Sequence, residues 1–178
     1  MANKRILLIG ATGETGKQCL NAALANSQVS AVMAAGRRAP SVTNDKLQFV
    51  EVDFERLADG DQAQAQKLRD ANADAVICTL GTTRANAGSA DKFVRIDREY
   101  VLAAAKAARN PERQDQTFVY CSSTGASSSS FFLYPKSKGL TEEGLASAGY
   151  ADTIIFRPAM LAVPGGRGEG RILESIAA

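Results

Sequence analysis

Six short apolar runs punctuate the chain, at 4–9, 29–35, 47–52, 74–80, 116–122 and 152–157. They are short and rich in Ile, Val, Leu and Phe, which is how strands buried on both faces read. Helical patterns fall between them, at 14–26, 60–71, 90–109, 134–148 and 168–177. The clearest is 90–109, where Phe93, Ile96, Tyr100 and Ala104 recur at three- and four-residue spacing and predict one buried stripe. Asn110-Pro111 ends that segment. Alternating strands and helices predict an α/β fold: a doubly wound parallel sheet of about six strands, helices on both faces, right-handed crossovers. A ligand then binds beyond the carboxyl ends of the strands, where the strand order reverses.

The first strand runs directly into Gly10-Ala11-Thr12-Gly13-Glu14-Thr15-Gly16. Glycines allow a tight turn and let backbone N–H groups approach an anion closely. The helix that follows aims its unsatisfied N–H groups and positive dipole end at the same spot. A strand, a Gly-x-x-Gly-x-x-Gly loop and a helix in that order predict a dinucleotide diphosphate site. The candidate contacts are Gly10, Thr12, Gly13, Glu14, Thr15 and Gly16.

The later strand ends extend that site. The second ends in Gly36-Arg37-Arg38, with no carboxylate to accept from an adenosine ribose 2′-hydroxyl. Two guanidiniums suit a 2′-phosphate instead, so NADP(H) is expected over NAD(H). Val52-Asp53-Phe54 closes the third strand, where Asp53 is placed to accept from the adenine amino group with Phe54 packing nearby, or simply to end the strand. Leu80-Gly81-Thr82-Thr83 follows the fourth strand, with Gly81 letting the backbone pass close to ribose and phosphates and the threonines offering hydroxyls.

A second cluster lies further along. Tyr134 and Lys138 are four residues apart and share one helical face, with Pro135 in the first turn. A neighbouring ammonium favours the phenolate form, which fits Tyr134 to give or take a proton during hydride transfer. Lys138 is also placed to hold the nicotinamide ribose. Ser122, Ser123 and Thr124 follow the fifth strand, and one of the three hydroxyls is expected to polarise a substrate carbonyl. Ser127 to Ser130, after Gly125-Ala126, read as a flexible polar loop, a mobile lip beside the cleft.

Composition narrows the chemistry. The 178 residues contain no histidine, which removes Ser-His-Asp, Cys-His and imidazole-metal systems. Cys19, Cys78 and Cys121 are scattered, with no Cys-x-x-Cys, and read as reduced core residues of an intracellular protein rather than metal ligands. At 45% hydrophobic residues the chain suits one domain, 1–178, with a short substrate-side segment at 159–178. A net charge of +2 gives no electrostatic reason for nucleic acid or an anionic membrane as partner. No apolar run approaches the roughly 20 residues of a membrane span, and because the first strand starts at once no presequence is expected. A cytoplasmic protein is expected, or one peripheral on an organelle such as the mitochondrion.

With these residues in view, the chain resembles the short-chain dehydrogenase/reductase superfamily, and within it the atypical branch around the Tat-interacting oxidoreductase family and its fungal relatives. The matching segments are 10–16, Gly36-Arg37-Arg38, Val52-Asp53-Phe54, Leu80 to Arg84, Phe93 to Val101, Ser122-Ser123, Tyr134 to Lys138 and Phe156-Arg157-Pro158. The resemblance implies a Rossmann domain binding NADP(H), with a Ser/Thr–Tyr–Lys catalytic group at Ser123 or Thr124, Tyr134 and Lys138. It also implies that Pro158 faces the nicotinamide, and that helices 90–109 and 134–148 are candidate homodimer faces. Two departures stand out: Ser123 and Tyr134 are only 11 residues apart, and little chain follows the sixth strand to build a substrate pocket. The implied activity is NADPH-dependent reduction of a small carbonyl compound. The alternative is a non-catalytic NADP(H)-binding regulator with a protein partner. Isomerase chemistry would need a sugar-nucleotide site for which the chain leaves no room.

Overall fold

The computed structural model describes residues 3–159. Six strands, β1 (Lys4–Ile9), β2 (Val29–Gly36), β3 (Leu47–Glu51), β4 (Ala75–Cys78), β5 (Thr117–Cys121) and β6 (Asp152–Phe156), form one parallel sheet in the order β3-β2-β1-β4-β5-β6. The winding goes from β1 outward to β3, then returns to β1's other side for β4 to β6. The reversal therefore lies between β1 and β4, whose ends leave the crevice that such a switch creates. This is the doubly wound α/β architecture expected from the alternating pattern.

The helices are α1 (Glu14–Ala25), α2 (Phe54–Ala58), α3 (Gln62–Arg69), α4 (Arg84–Ala87), α5 (Ala90–Val94), α6 (Tyr100–Ala108) and α7 (Leu133–Ala146). Alternate β1 residues point to opposite faces. Leu7 and Ile9 join Val76, Cys78, Phe118 and Tyr120 beneath α2, α3, α6 and α7. Ile6 and Leu8 join Val32, Leu20 and Leu24 beneath α1. Burial on both faces holds for β1 and fails at β6, where Ile154 is 46% and Phe156 61% exposed among the described residues. Among those residues no helix is long and apolar enough to cross a membrane. The expected helix at 168–177 lies outside the described residues, as does the 159–178 segment apart from Ala159.

The segment expected as one regular helix over 90–109 is broken in phase. Between α5 and α6 the chain makes a π-helical turn, Arg95–Glu99. Its wider turn moves the inward face by about one residue. Phe93, Asp97, Val101, Ala104 and Ala108 are buried, while Ile96 and Tyr100 of the expected stripe are only half-buried. A carboxylate thus occupies the interior position assigned to an isoleucine. Two short helices were not expected at all. α2 forms because Asp53 Oδ1 accepts from the Glu55 and Arg56 amides at 3.0 and 3.1 Å. α4 begins at Thr83, whose hydroxyl caps the Asn86 amide.

Candidate nucleotide-binding and catalytic site

The glycine loop is built by close backbone contacts. Gly10 has φ +87°, a region that side chains resist, and a Cβ there would meet Thr79 Oγ1 at 2.8 Å and the Leu80 amide nitrogen at 2.9 Å. Thr79 Oγ1 donates to the Ile9 or Gly10 carbonyl, at 3.1 and 3.2 Å, locking the β4 end against the β1 end. Gly16 lies on α1 where a Cβ would stand 2.0 Å from the Gly10 carbonyl oxygen. Gly13 is the N-cap of α1 and supplies no side-chain cap. The first turn of this 12-residue helix thus opens toward the crevice without a hydroxyl or carboxylate from its cap residue. Such a set of free backbone donors suits a diphosphate, and a Cβ at Gly13 would meet only the Gly10 carbonyl oxygen, at 3.4 Å.

Next to the cradle, Arg37 and Arg38 are exposed just beyond β2, and neither is in an ion pair among the described residues. The charge of Arg37 reaches the Tyr100 phenol, whose pKa is nevertheless pushed up to about 12 by burial and by Glu55. Glu55 accepts from Tyr100 and joins Asp59 and Glu99 around the Arg95 guanidinium, tying α2 to the π turn. Asp53 has a structural task, capping α2 with Oδ1. Phe54 is 3% exposed and stacks on Tyr100, with ring centroids 6.0 Å apart. The Phe54 ring belongs to the core.

At the other end of the crevice, Lys138 is buried, with its Nζ 2.9 Å from Asp97 Oδ1; the two side chains are 5% and 0% exposed. Asp97 approaches as a close ion pair off the hydrogen-bond line, whereas Lys138 Nζ donates to the Tyr120 hydroxyl at 3.0 Å. The same ammonium lies 5.9 Å from the centroid of the Tyr134 ring, which packs on Phe93. Burial raises the Asp97 carboxyl above its usual range, against the pull of Lys138, the Thr82 amide and the Ser137 hydroxyl. Burial opposes the Lys138 ammonium too, but Tyr120 and Asp97 outweigh it and hold it well above the ordinary lysine value. Burial also keeps Tyr120 a phenol. A Cβ at exposed Gly81 would lie 3.2 Å from Asp97 Oδ1 and 3.5 Å from Lys138 Nζ. Gly81 is therefore the bare stretch of backbone between this pair and the crevice. The neighbouring Leu80 and Thr82 are half-buried, and Thr82 bonds only weakly to the Thr83 carbonyl, at 3.4 Å.

The three hydroxyls after β5 are not equivalent. Ser122 is buried and donates to Glu142 Oε1 at 2.5 Å, in a cluster with Arg157. Thr124 turns back to β6: its hydroxyl donates to the Arg157 carbonyl at 3.0 Å and its amide to the Pro158 carbonyl at 2.9 Å. Ser123, half-buried, has among the described residues only a 3.4 Å contact to its neighbour's carbonyl. Of the three, Ser123 is the hydroxyl left to a ligand.

The expected mobile lip over 127–130 is docked instead. Ser127 donates its amide to the Pro135 carbonyl, Ser128 Oγ donates to Glu143, and a Cβ at Gly139 would stand 2.1 Å from the Ser128 amide nitrogen. Of the three cysteines, Cys78 is buried and Cys19 and Cys121 are half-buried; all are free. The residue that sequence reasoning missed is Asp97. The signal available was its position four residues after Phe93 and four before Val101, on one helical face.

The pattern of the NAD(P)H-binding family matches residues 10–174. The rat protein HTATIP2 (Rattus norvegicus) is 38% identical over 164 residues, which is 90% of this chain and 64% of that protein. The mitochondrial protein FMP52 of Candida albicans is 33% identical over 154 residues, 86% of this chain and 66% of that one. The chain thus spans about two thirds of the length of these relatives. A short chain dehydrogenase from Leptospira borgpetersenii with bound NAD+ superposes with a TM-score of 0.70 at 14% identity, over 92% of this chain and 73% of that one, a likeness of fold. With its glycine cradle, switch point and matched residues in agreement, this chain belongs to the NAD(P)H-binding family.

Proposed function

We propose that the protein is an NADP(H)-dependent oxidoreductase of the short-chain dehydrogenase/reductase type that reduces a small carbonyl compound. The observation that supports this reading is that Lys138 Nζ lies 5.9 Å from the Tyr134 ring centroid and beside Gly81, on the loop that follows β4. The diphosphate would be held by the amides of the 10–16 loop and the 2′-phosphate by Arg37 and Arg38. A bound nicotinamide supplies hydride to a carbonyl carbon. The chain's own groups handle the oxygen: Ser123 donates a hydrogen bond to it, and Tyr134 holds the proton that the resulting alkoxide takes. Lys138 keeps a fixed positive charge below Tyr134 and lies within reach of a ribose passing Gly81.

The test is Tyr134→Phe. NADPH binding by calorimetry is expected to remain, while NADPH oxidation with a panel of aldehydes and ketones is lost by about a hundredfold or more, the worth of a positioned general acid. Unchanged oxidation in that variant would remove Tyr134 from the reaction. A second reading, a non-catalytic NADP(H)-binding regulator of a protein partner, is favoured by the commitment of Lys138 to Asp97 and Tyr120 rather than to the Tyr134 hydroxyl. It predicts NADPH binding with no oxidation by any carbonyl compound. The mitochondrial designation of the fungal relative favours placement at that organelle over the cytoplasm.

A further inference from the structure

Lys138 sits in a place hostile to an ammonium. Around it are Tyr120 and Cys121 from β5, Cys78 from β4, Asp97 from the π turn, and Tyr134 and Glu142 from its own helix. Burial holds the Cys78 and Cys121 thiols and the Tyr120 phenol neutral. Glu142 is tied to Arg157 and Ser122. Among the described residues Asp97 is the one anion in contact with the ammonium. A buried lysine without a counter-charge gives up its proton rather than remain an unpaired ion. The π turn brings the counter-charge inward, because it puts Asp97, rather than an apolar neighbour, on the buried face.

We propose that Asp97 is a positioning residue: its buried carboxylate keeps Lys138 charged and fixed between the rings of Tyr120 and Tyr134, beside the bare backbone of Gly81. The role deepens the oxidoreductase reading, since that reading needs a cation below Tyr134. It also stands as a property of the apo protein, so the two can fail separately.

The test compares Asp97→Asn, Lys138→Met and the double variant with the wild-type chain, by denaturant unfolding at about pH 6 and about pH 9, below the ordinary lysine value of ~10.4. In Asp97→Asn the folded-state lysine has a lowered pKa. Across this window the unfolded chain then binds more protons than the native one, and stability rises with pH. The unfolding midpoint of Asp97→Asn is expected to climb from the lower pH to the higher relative to wild type, and the double variant is expected to lose that climb. Folding of Asp97→Asn at the higher pH alone supports the role in the same way. Parallel wild-type and Asp97→Asn midpoints overturn it. So does failure of both Asp97→Asn and the double variant to fold at either pH, since the side chain is then needed for packing rather than charge. Absence of NADPH binding by the wild-type chain, measured alongside, strikes the oxidoreductase reading and leaves the Asp97–Lys138 result to stand on its own.

Discussion

A Cβ on Gly16 would stand 2.0 Å from the carbonyl oxygen of Gly10. The contact is backbone against backbone, so no side chain can swing away to relieve it. Gly16→Ala must push α1 off the β1 end, at about 1–3 kcal/mol for overpacking of this kind. Gly13 offers the contrast, because a Cβ there meets the same oxygen only at 3.4 Å and φ is −74°. Gly13→Ala should fold nearly as well as wild type, yet set a methyl group where a diphosphate approaches. Thermal unfolding and NADPH calorimetry separate the two: Gly16→Ala loses stability and binding, Gly13→Ala binding alone. Full NADPH affinity in Gly13→Ala would place the diphosphate elsewhere.

Arg37 and Arg38 are exposed at the β2 end and form no ion pair among the described residues. Replacing both with alanine should leave stability within about 0.5 kcal/mol of wild type, as for ordinary surface positions. If they meet a 2′-phosphate, the double variant loses at least about tenfold in NADPH affinity, or 1.4 kcal/mol, with little change for NADH. Equal losses for the two dinucleotides would assign the arginines to something both share.

Under the proposed oxidoreductase reading, the hydroxyls after β5 divide between structure and chemistry. Ser122→Ala removes a donor from the buried Glu142 carboxylate, which should cost about 1–3 kcal/mol of stability. Ser123→Ala breaks no long-range bond and should leave the unfolding midpoint in place while lowering kcat for carbonyl reduction. A variant pair behaving the other way round, with turnover lost in Ser122→Ala and stability in Ser123→Ala, would reverse the assignment.

The sheet was legible in the chain because each strand carries a short apolar stretch, and the cradle because three glycines stand between a strand and a helix. The π turn was not. Counting apolar residues at helical spacing selects Ile96, and a buried charge at Asp97 is invisible to that count. Its partner, Lys138, lies 41 residues on and meets it only through the packing of α7 on the π turn. The docked 127–130 loop is also a tertiary fact. Its trace in the sequence is Gly139, a glycine inside a helix with no turn to make. Asp53 illustrates the opposite ambiguity: an acidic residue at a strand end reads equally well as a ligand contact or a helix cap, and here it caps.

Alkaline pH should loosen the fold through Cys78. This thiol is fully buried beneath the sheet's helical layer, and burial pushes its pKa up to about 12. The unfolded chain releases the same proton near ~8.5. Below that value both states hold the proton and the stability Cys78 contributes is fully present. Above it the unfolded state ionises first, and stability falls as pH rises toward 12. Cys78→Ala removes this proton from the balance. The variant should start less stable at neutral pH, from lost packing, but decline less steeply than wild type above pH ~8.5, where the unfolded thiol begins to ionise. Urea midpoints collected from neutral to alkaline pH read the two slopes directly. Identical slopes would mean that the buried thiol takes no part and that the tyrosines, Tyr100 among them, carry the alkaline loss.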